Sequence, residues 1–242
     1  MEIITAKDNK KIKEARKLLT KKKYRKNSYL IEGFHLLEEA VNSGAKILQI
    51  FVEENKYHQV AHLEEVIAVS SEILKSLSDA GTPQGVVAEV AFEEVKVELK
   101  HGKYLVLENV QDPGNVGTMI RTADAAGFSA VLCLGDTADI YAPKVMRSMQ
   151  GSNFHIPILS VADFTELQKA HIPLYVTTLS NQSISHKELV AEKDFALVMG
   201  NEGSGVSAQA VAVADQLVHI EMPGRAESLN VAVAAGILMF SL

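Results

Sequence analysis

The chain is short of cysteine, and that absence excludes most. Cys133 is the only one in 242 residues, and it sits inside an apolar run. No disulfide can form within one chain, and a cysteine-based metal site is excluded with it. Long hydrophobic runs are also missing. The longest candidate, "LNVAVAAGILMF" at 229–240, is well under 18 residues and holds an Asn and a Gly. No charged-then-apolar leader opens the chain. The expectation is a soluble, cytoplasmic protein with no membrane partner. Internal repeats and low-complexity tracts are absent too. What remains is 47% hydrophobic and 22% charged, enough for one large domain or two modest ones.

Charge is unevenly placed. The formal net charge is −6, with 24 Lys and Arg against 30 Asp and Glu. Residues 1–26 nevertheless hold 11 of the cations and 3 of the acids, which leaves a strongly acidic remainder. A basic amino-terminal segment on an acidic body fits a protein that meets phosphate backbone at one end. It equally fits a solvated helix with lysine-rich flanks.

Periodicity divides the chain. In "NKKIKEARKLLTKKKYRK", Ile12, Ala15, Leu18 and Leu19 recur at helical spacing, which predicts an amphipathic helix with a basic face. Strands and helices then alternate through "SYLIEG", "FHLLEEAVNSG", "KILQIFVEE", a helical "YHQVAHLEE", "VIAVS", "SEILKSLSDAG" capped by Ser70 or Ser71, and "VVAEVAF". A weakly patterned charged stretch marks a boundary near 92–102. Beyond it come stronger apolar strands, "YLVLE", "AVLCLG", "IPIL", "PLYVTTL", "FALVMG" and "QLVHIEM". Helices are expected between them at about 115–126, 142–150, 163–170, 207–213 and 228–241. Such strands predict an α/β fold with a mostly parallel sheet and helices on both faces.

In open parallel sheets, ligands bind at the carboxyl ends of strands. Three such ends carry unusual residues. "ENVQDPGNVGTMIRTADAAG" holds Asn115, a candidate N-cap, and Arg121, a cation well inside a helix. "ALVMGNEGSGVS" holds Gly200, Gly203 and Gly205 around Glu202. Its order is neither the dinucleotide fingerprint nor a phosphate loop. "HIEMPGRAESLNVAVAAG" holds Ser228, a candidate N-cap, and Asn230 at the start of a helix apolar on nearly every face. That helix should be buried or lie at a subunit interface. Singly, each polar residue is explained as a cap. Together they form a polar cluster with one fixed cation beside an apolar slot. The cluster contains no His, Cys or paired carboxylate, which disfavours Ser/Cys hydrolases, metal hydrolases and glycosidases. The missing fingerprint disfavours a Rossmann-type enzyme.

These three stretches resemble the three motifs of the SpoU/TrmH-type RNA ribose 2′-O-methyltransferases of the SPOUT superfamily, in the family's order and spacing, over roughly 103–242. More loosely, "YLIEGFHLLEEAVNSG" and "TPQGVVAEV" resemble the family's L30e-like substrate-binding domain. The charge run sets off a basic amino-terminal helix or arm at 1–26, and the resemblance implies a substrate-binding domain at 27–100 and a methyltransferase domain at 101–242 with a deep trefoil knot. It implies S-adenosylmethionine as methyl donor, no metal, a homodimer, and structured RNA as substrate, ribosomal RNA before transfer RNA. A non-catalytic RNA-binding relative would be expected to lose Arg121 or Asn230, and both are present. By matching positions, the catalytic cluster would be Asn115, Arg121, Glu202, Ser228 and Asn230. The cofactor would be lined by Thr178, Leu179, Gly200, Ile220, Met222, Leu229 and Asn230. Arg121 either accepts the ribose proton or stays charged and stabilises the alkoxide. Arg147, in "KVMRSMQGSNFHIPI", touches RNA or is an ordinary surface arginine.

Overall fold

The computed structural model describes residues 3–93 and 97–242. The expected boundary at 92–102 takes in residues 94–96, which lie outside the described ones. The chain forms two compact units, Met1–Glu94 with Asp139–Phe154, and Val95–Ala138 with His155–Leu242.

The first unit begins with β1 (Ile3–Ile4), α1 (Lys10–Thr20), β2 (Ser28–Glu32), α2 (Phe34–Asn42), β3 (Ile47–Glu53), β4 (Val66–Val69), α3 (Ser71–Ser76) and β5 (Val86–Ala91). Its five strands order as β1-β4-β3-β5-β2, with β5 antiparallel to both neighbours. Helix α1 forms as its periodicity predicts. Asn9 caps it, and Ile12, Ala15 and Leu18 are buried in one cluster with Phe51, Val69, Ile73 and Val87. The helix that carries the basic run is therefore packed into this unit's core, with its lysines outward. Ser70 caps α3. "YHQVAHLEE" is not an α-helix: a 3-10 helix over Glu54–Gln59 gives way to turns. Tyr57, Val60 and Ala61 recur at helical spacing, but Val60 alone is fully buried there and Ala61 is exposed, so no packed face holds a helix.

The second unit contains β6 (Lys103–Glu108), α4 (Pro113–Ala125) and β7 (Ala130–Leu134). The chain continues through α5 (Pro143–Met149), β8 (Ile158–Val161), α6 (Thr165–Lys169), β9 (Leu174–Thr177), β10 (Ile184–Ser185), β11 (Phe195–Met199), α7 (Ala208–Ala212), β12 (Gln216–His219) and α8 (Val231–Ser241). Seven strands order as β10-β12-β9-β11-β6-β7-β8, and every pairing is parallel, as the apolar runs predict. Strands β6 and β11 are buried almost throughout, the condition of a sheet covered on both faces.

Two helix starts differ from expectation. Asp112 caps α4, its carboxylate accepting from the Asn115 N–H, so Asn115 lies in the first turn. The reason is Pro113: it holds the preceding residue in extended backbone, which is N-cap geometry, and itself fills the first helical position. Likewise Asn230, not Ser228, caps α8, accepting from Ala232 and Val233 N–H groups. Helix α8 packs on α4 and buries Ala232, Ala235, Leu238 and Met239. It leaves Val233 (53% exposed), Ile237 (37%) and Phe240 (68%) in solvent on its other side.

Helix α5 packs against β2 in the first unit. A three-ring cluster of Tyr29, Phe92 and Tyr141, with centroids 4.5–5.2 Å apart, holds the segment there. So does Arg25, whose guanidinium donates to the Leu18 carbonyl and the Asp139 carboxylate and is only 7% exposed. Arg147 pairs with Asp79 in the same unit.

Removing one member of a buried ion pair strands the other. Arg25→Met should therefore destabilise the protein by about 3 kcal/mol in urea unfolding, and Arg25→Met/Asp139→Leu should recover part of the loss. Equal stability of Arg25→Met and wild type would show that the pair holds nothing.

Candidate active site

Strands β12, β9, β11 and β6 are neighbours and run the same way, so their carboxyl ends share one edge. The segments leaving those ends carry all three motifs. A cavity of about 460 Å³ opens there, lined by Thr178 and Leu179 after β9, Gly200 to Val206 after β11, and Ile220, Met222, Ser228 and Leu229 after β12. Of the residues expected to line a cofactor, only Asn230 is outside the wall.

The glycine loop has a definite shape. Asn201 and Gly205 exchange two backbone hydrogen bonds of 3.0 Å. The Asn201 side chain accepts from Gly203 and Ser204 N–H and donates to the Asn109 carbonyl. Gly205 needs φ +70°, and a Cβ on Gly200 would overlap the Gly205 and Val206 backbone. Behind the loop, the buried Glu108 carboxylate accepts from Ser207 N–H (2.9 Å) and Oγ (2.6 Å), while Ser207 caps α7. Sequence reasoning missed Asn201 and Glu108. An Asn beside Gly is an ordinary loop residue by sequence, and Glu108 reads as a strand end.

The polar cluster is a directional chain. Glu202 accepts from the Gln111 N–H (3.2 Å), the Asp112 N–H (3.0 Å) and Asn115 Nδ2 (3.1 Å). An ionised carboxylate only accepts, so Asn115 must present its amide nitrogen there. Its Oδ1 is left to accept from Asn230 Nδ2 at 3.0 Å. Asn230 Oδ1 is left in turn for the N–H groups of α8. Partial burial pushes the Glu202 carboxyl up. The Asn115 amide and the backbone N–H groups of Glu202, Asp112 and Gln111 outweigh it, so its pKa lies below the usual Glu value.

The remaining two expected members stand apart from this chain. Ser228 is on the cavity wall but makes no hydrogen bond among the described residues. Arg121 is exposed, and its side chain makes no ion pair or hydrogen bond among them. Six residues beyond Asn115, it sits about 9 Å further along α4 and about a third of a turn round from Asn115's face. The exposed Thr118 and Ala125 flank it, with small side chains that leave the long cation unscreened.

Charge-accepting hydrogen bonds of this kind are worth enough to alter local opening. In Glu202→Ala, amide exchange at Gln111 and Asp112 should accelerate by about tenfold, with β6 and β11 unchanged. Unaltered exchange at those two amides would show that Glu202 does not hold the first junction.

Two family descriptions match the chain, the SpoU rRNA Methylase family over residues 102–240 and the MRM3-like substrate binding domain over 9–88. The 23S rRNA (guanosine(2553)-2′-O)-methyltransferase RlmP of Bacillus subtilis is 41% identical over 251 residues, covering 100% of this chain and 99% of the relative. The AdoMet-bound rRNA methyltransferase of Sinorhizobium meliloti superposes with a TM-score of 0.88 at 32% identity, covering 99% of this chain and 96% of that one. The SpoU methyltransferase AviRb of Streptomyces viridochromogenes, in complex with AdoMet, gives 0.85 at 25% identity, covering 96% of each. With three motifs at one sheet edge and agreement over its whole length, the chain belongs to the SpoU rRNA methylase family.

Proposed function

We propose that this protein transfers a methyl group from S-adenosylmethionine to a ribose 2′-OH of ribosomal RNA. The observation that carries the reading is the Glu202–Asn115–Asn230 chain at the edge of the cavity, which ties all three motifs into one rigid border. Family membership brings the trefoil knot with it.

The cavity fits the cofactor. Gly200 lets the loop close against its own backbone at the cavity wall, and Leu179 (64% exposed) and Leu229 present apolar surface to the opening. Thr178, Ile220 and Met222 complete the wall, and the family's position for Asn230 borders it. Bound there, the cofactor would supply an electrophilic methyl group.

The chain's own part is positioning and charge. Fixed alignment of a nucleophile is worth up to about 7–11 kcal/mol in good cases. Asn115 and Asn230 hold the first and third junctions in register, and Ser228, with no partner of its own among the described residues, is free to bond the ribose. Glu202 is a poor base, because three donors occupy its carboxylate and keep its pKa low. Arg121 serves as a cation and not as a base, since a guanidinium has no lone pair free to accept a proton. It grips RNA phosphate and stabilises the developing alkoxide, whose proton passes to solvent water as the O–CH3 bond forms.

We also infer a homodimer. Val233, Ile237 and Phe240 recur at 4 and 3 residues along α8 and leave an apolar stripe in water, which a second copy would cover.

Purified protein incubated with methyl-labelled S-adenosylmethionine and total RNA should label ribosomal RNA at a single mapped 2′-O position. Label in transfer RNA alone would overturn the substrate assignment. Arg121→Lys should lower kcat by about a hundredfold or more and leave cofactor affinity unchanged, because it keeps the charge and loses the planar fork. Near-wild-type turnover would remove any special role for Arg121. Ile237→Asp/Phe240→Asp should shift the protein from dimer to monomer in sedimentation; a monomeric wild type at micromolar concentration would refute the dimer.

A further inference from the structure

Tyr24 is exposed in the middle of the basic run. It ends a short 3-10 turn, Lys22–Tyr24, that comes after α1, and the residue is 41% exposed. The ring has no aromatic neighbour, and its hydroxyl has no hydrogen bond among the described residues. Tyr29, Tyr104 and Tyr175 differ, each with a ring contact or a bonded hydroxyl. Two ammonium groups lie over the Tyr24 ring instead, Lys23 Nζ at 5.1 Å and Lys17 Nζ at 6.0 Å from its centroid. Lys21, Lys22 and Lys26 are within three residues of it in sequence, and all are exposed.

The turn is held still. Arg25, next in sequence, points inward onto the Leu18 carbonyl and the Asp139 carboxylate. Backbone hydrogen bonds run from Tyr24 N–H to the Lys21 carbonyl and from Arg25 N–H to the Lys22 carbonyl. An aromatic ring is thus presented to water on a fixed support. Lysine alone would serve a purely electrostatic contact with phosphate.

We propose that Tyr24 is a stacking platform for one unpaired RNA base, with the surrounding lysines holding the phosphates on either side. Every base has a π-face, so an aromatic among cations takes any unstacked nucleotide and rejects continuous duplex. The lysine stems are flexible, so Lys17 and Lys23 leave the ring face and swing to the flanking phosphates as the base arrives. The inference rests on the RNA-substrate reading of the protein. It adds that the first unit selects a looped region of the RNA, where a base is already out of its stack.

The test compares two fluorescent RNAs, a hairpin with an eight-nucleotide loop and a fully paired duplex of the same length. Tyr24→Ala should weaken hairpin binding by roughly tenfold, leave duplex binding unchanged, and keep the wild-type salt dependence, because no charge is lost. Tyr24→Phe should bind as wild type. Lys22→Gln/Lys23→Gln should weaken both RNAs and flatten the salt dependence. Wild-type hairpin affinity in Tyr24→Ala would overturn the platform while leaving the methyltransferase reading intact, as would equal losses on hairpin and duplex. Failure of the wild type to bind either RNA would instead overturn the RNA reading and the platform with it.

Discussion

The candidate site depends on one carboxylate that can only accept. Glu202 faces three donors, and this one-way demand sets the orientation of every amide beyond it. Asn115 must turn its nitrogen toward Glu202 and its oxygen toward Asn230. Asn230 must then turn its oxygen to the first N–H groups of α8. Each amide has one orientation that satisfies both neighbours, so the chain carries direction as well as connection. Three segments far apart in sequence are locked into one border without a charge pair.

The glycine loop makes that carboxylate available. Glu202 can reach back to the first junction because Gly200 lets the loop fold onto itself and Gly205 takes a positive φ. Asn201 and the buried Glu108 brace the loop from the other side. The parallel sheet does the rest. Its four neighbouring strands deliver their carboxyl ends to one edge, so the loops need only short reaches to meet. The first unit differs in character: the lysines of α1 point outward and suit a polyanion.

Much of this was legible beforehand. Six of the seven parallel strands followed from near-continuous apolar runs, and α1 from the spacing of Ile12, Ala15 and Leu18. The two-residue strands β1 and β10 were not, because so short a segment carries no period. Helix starts were misplaced at Asn115 and Ser228, since several cap-forming residues compete in each junction and backbone geometry chooses among them. Segment 139–154 reads as part of the second unit by position, yet Tyr141 and Asp139 have their partners in the first.

The sequence by itself determined the inventory: which residues are polar among apolar ones, where glycine is needed, and which motifs occur in which order. Those are local properties, written in spacing and residue type. Only the tertiary structure decided the relations among them. Asn115, Glu202 and Asn230 meet through hydrogen bonds, while Arg121 stands alone round the helix and Ser228 stays unbonded among the described residues. Hydrogen bonds reach only about 3 Å, so whether two residues 87 or 115 positions apart are joined depends on where the whole sheet brings them.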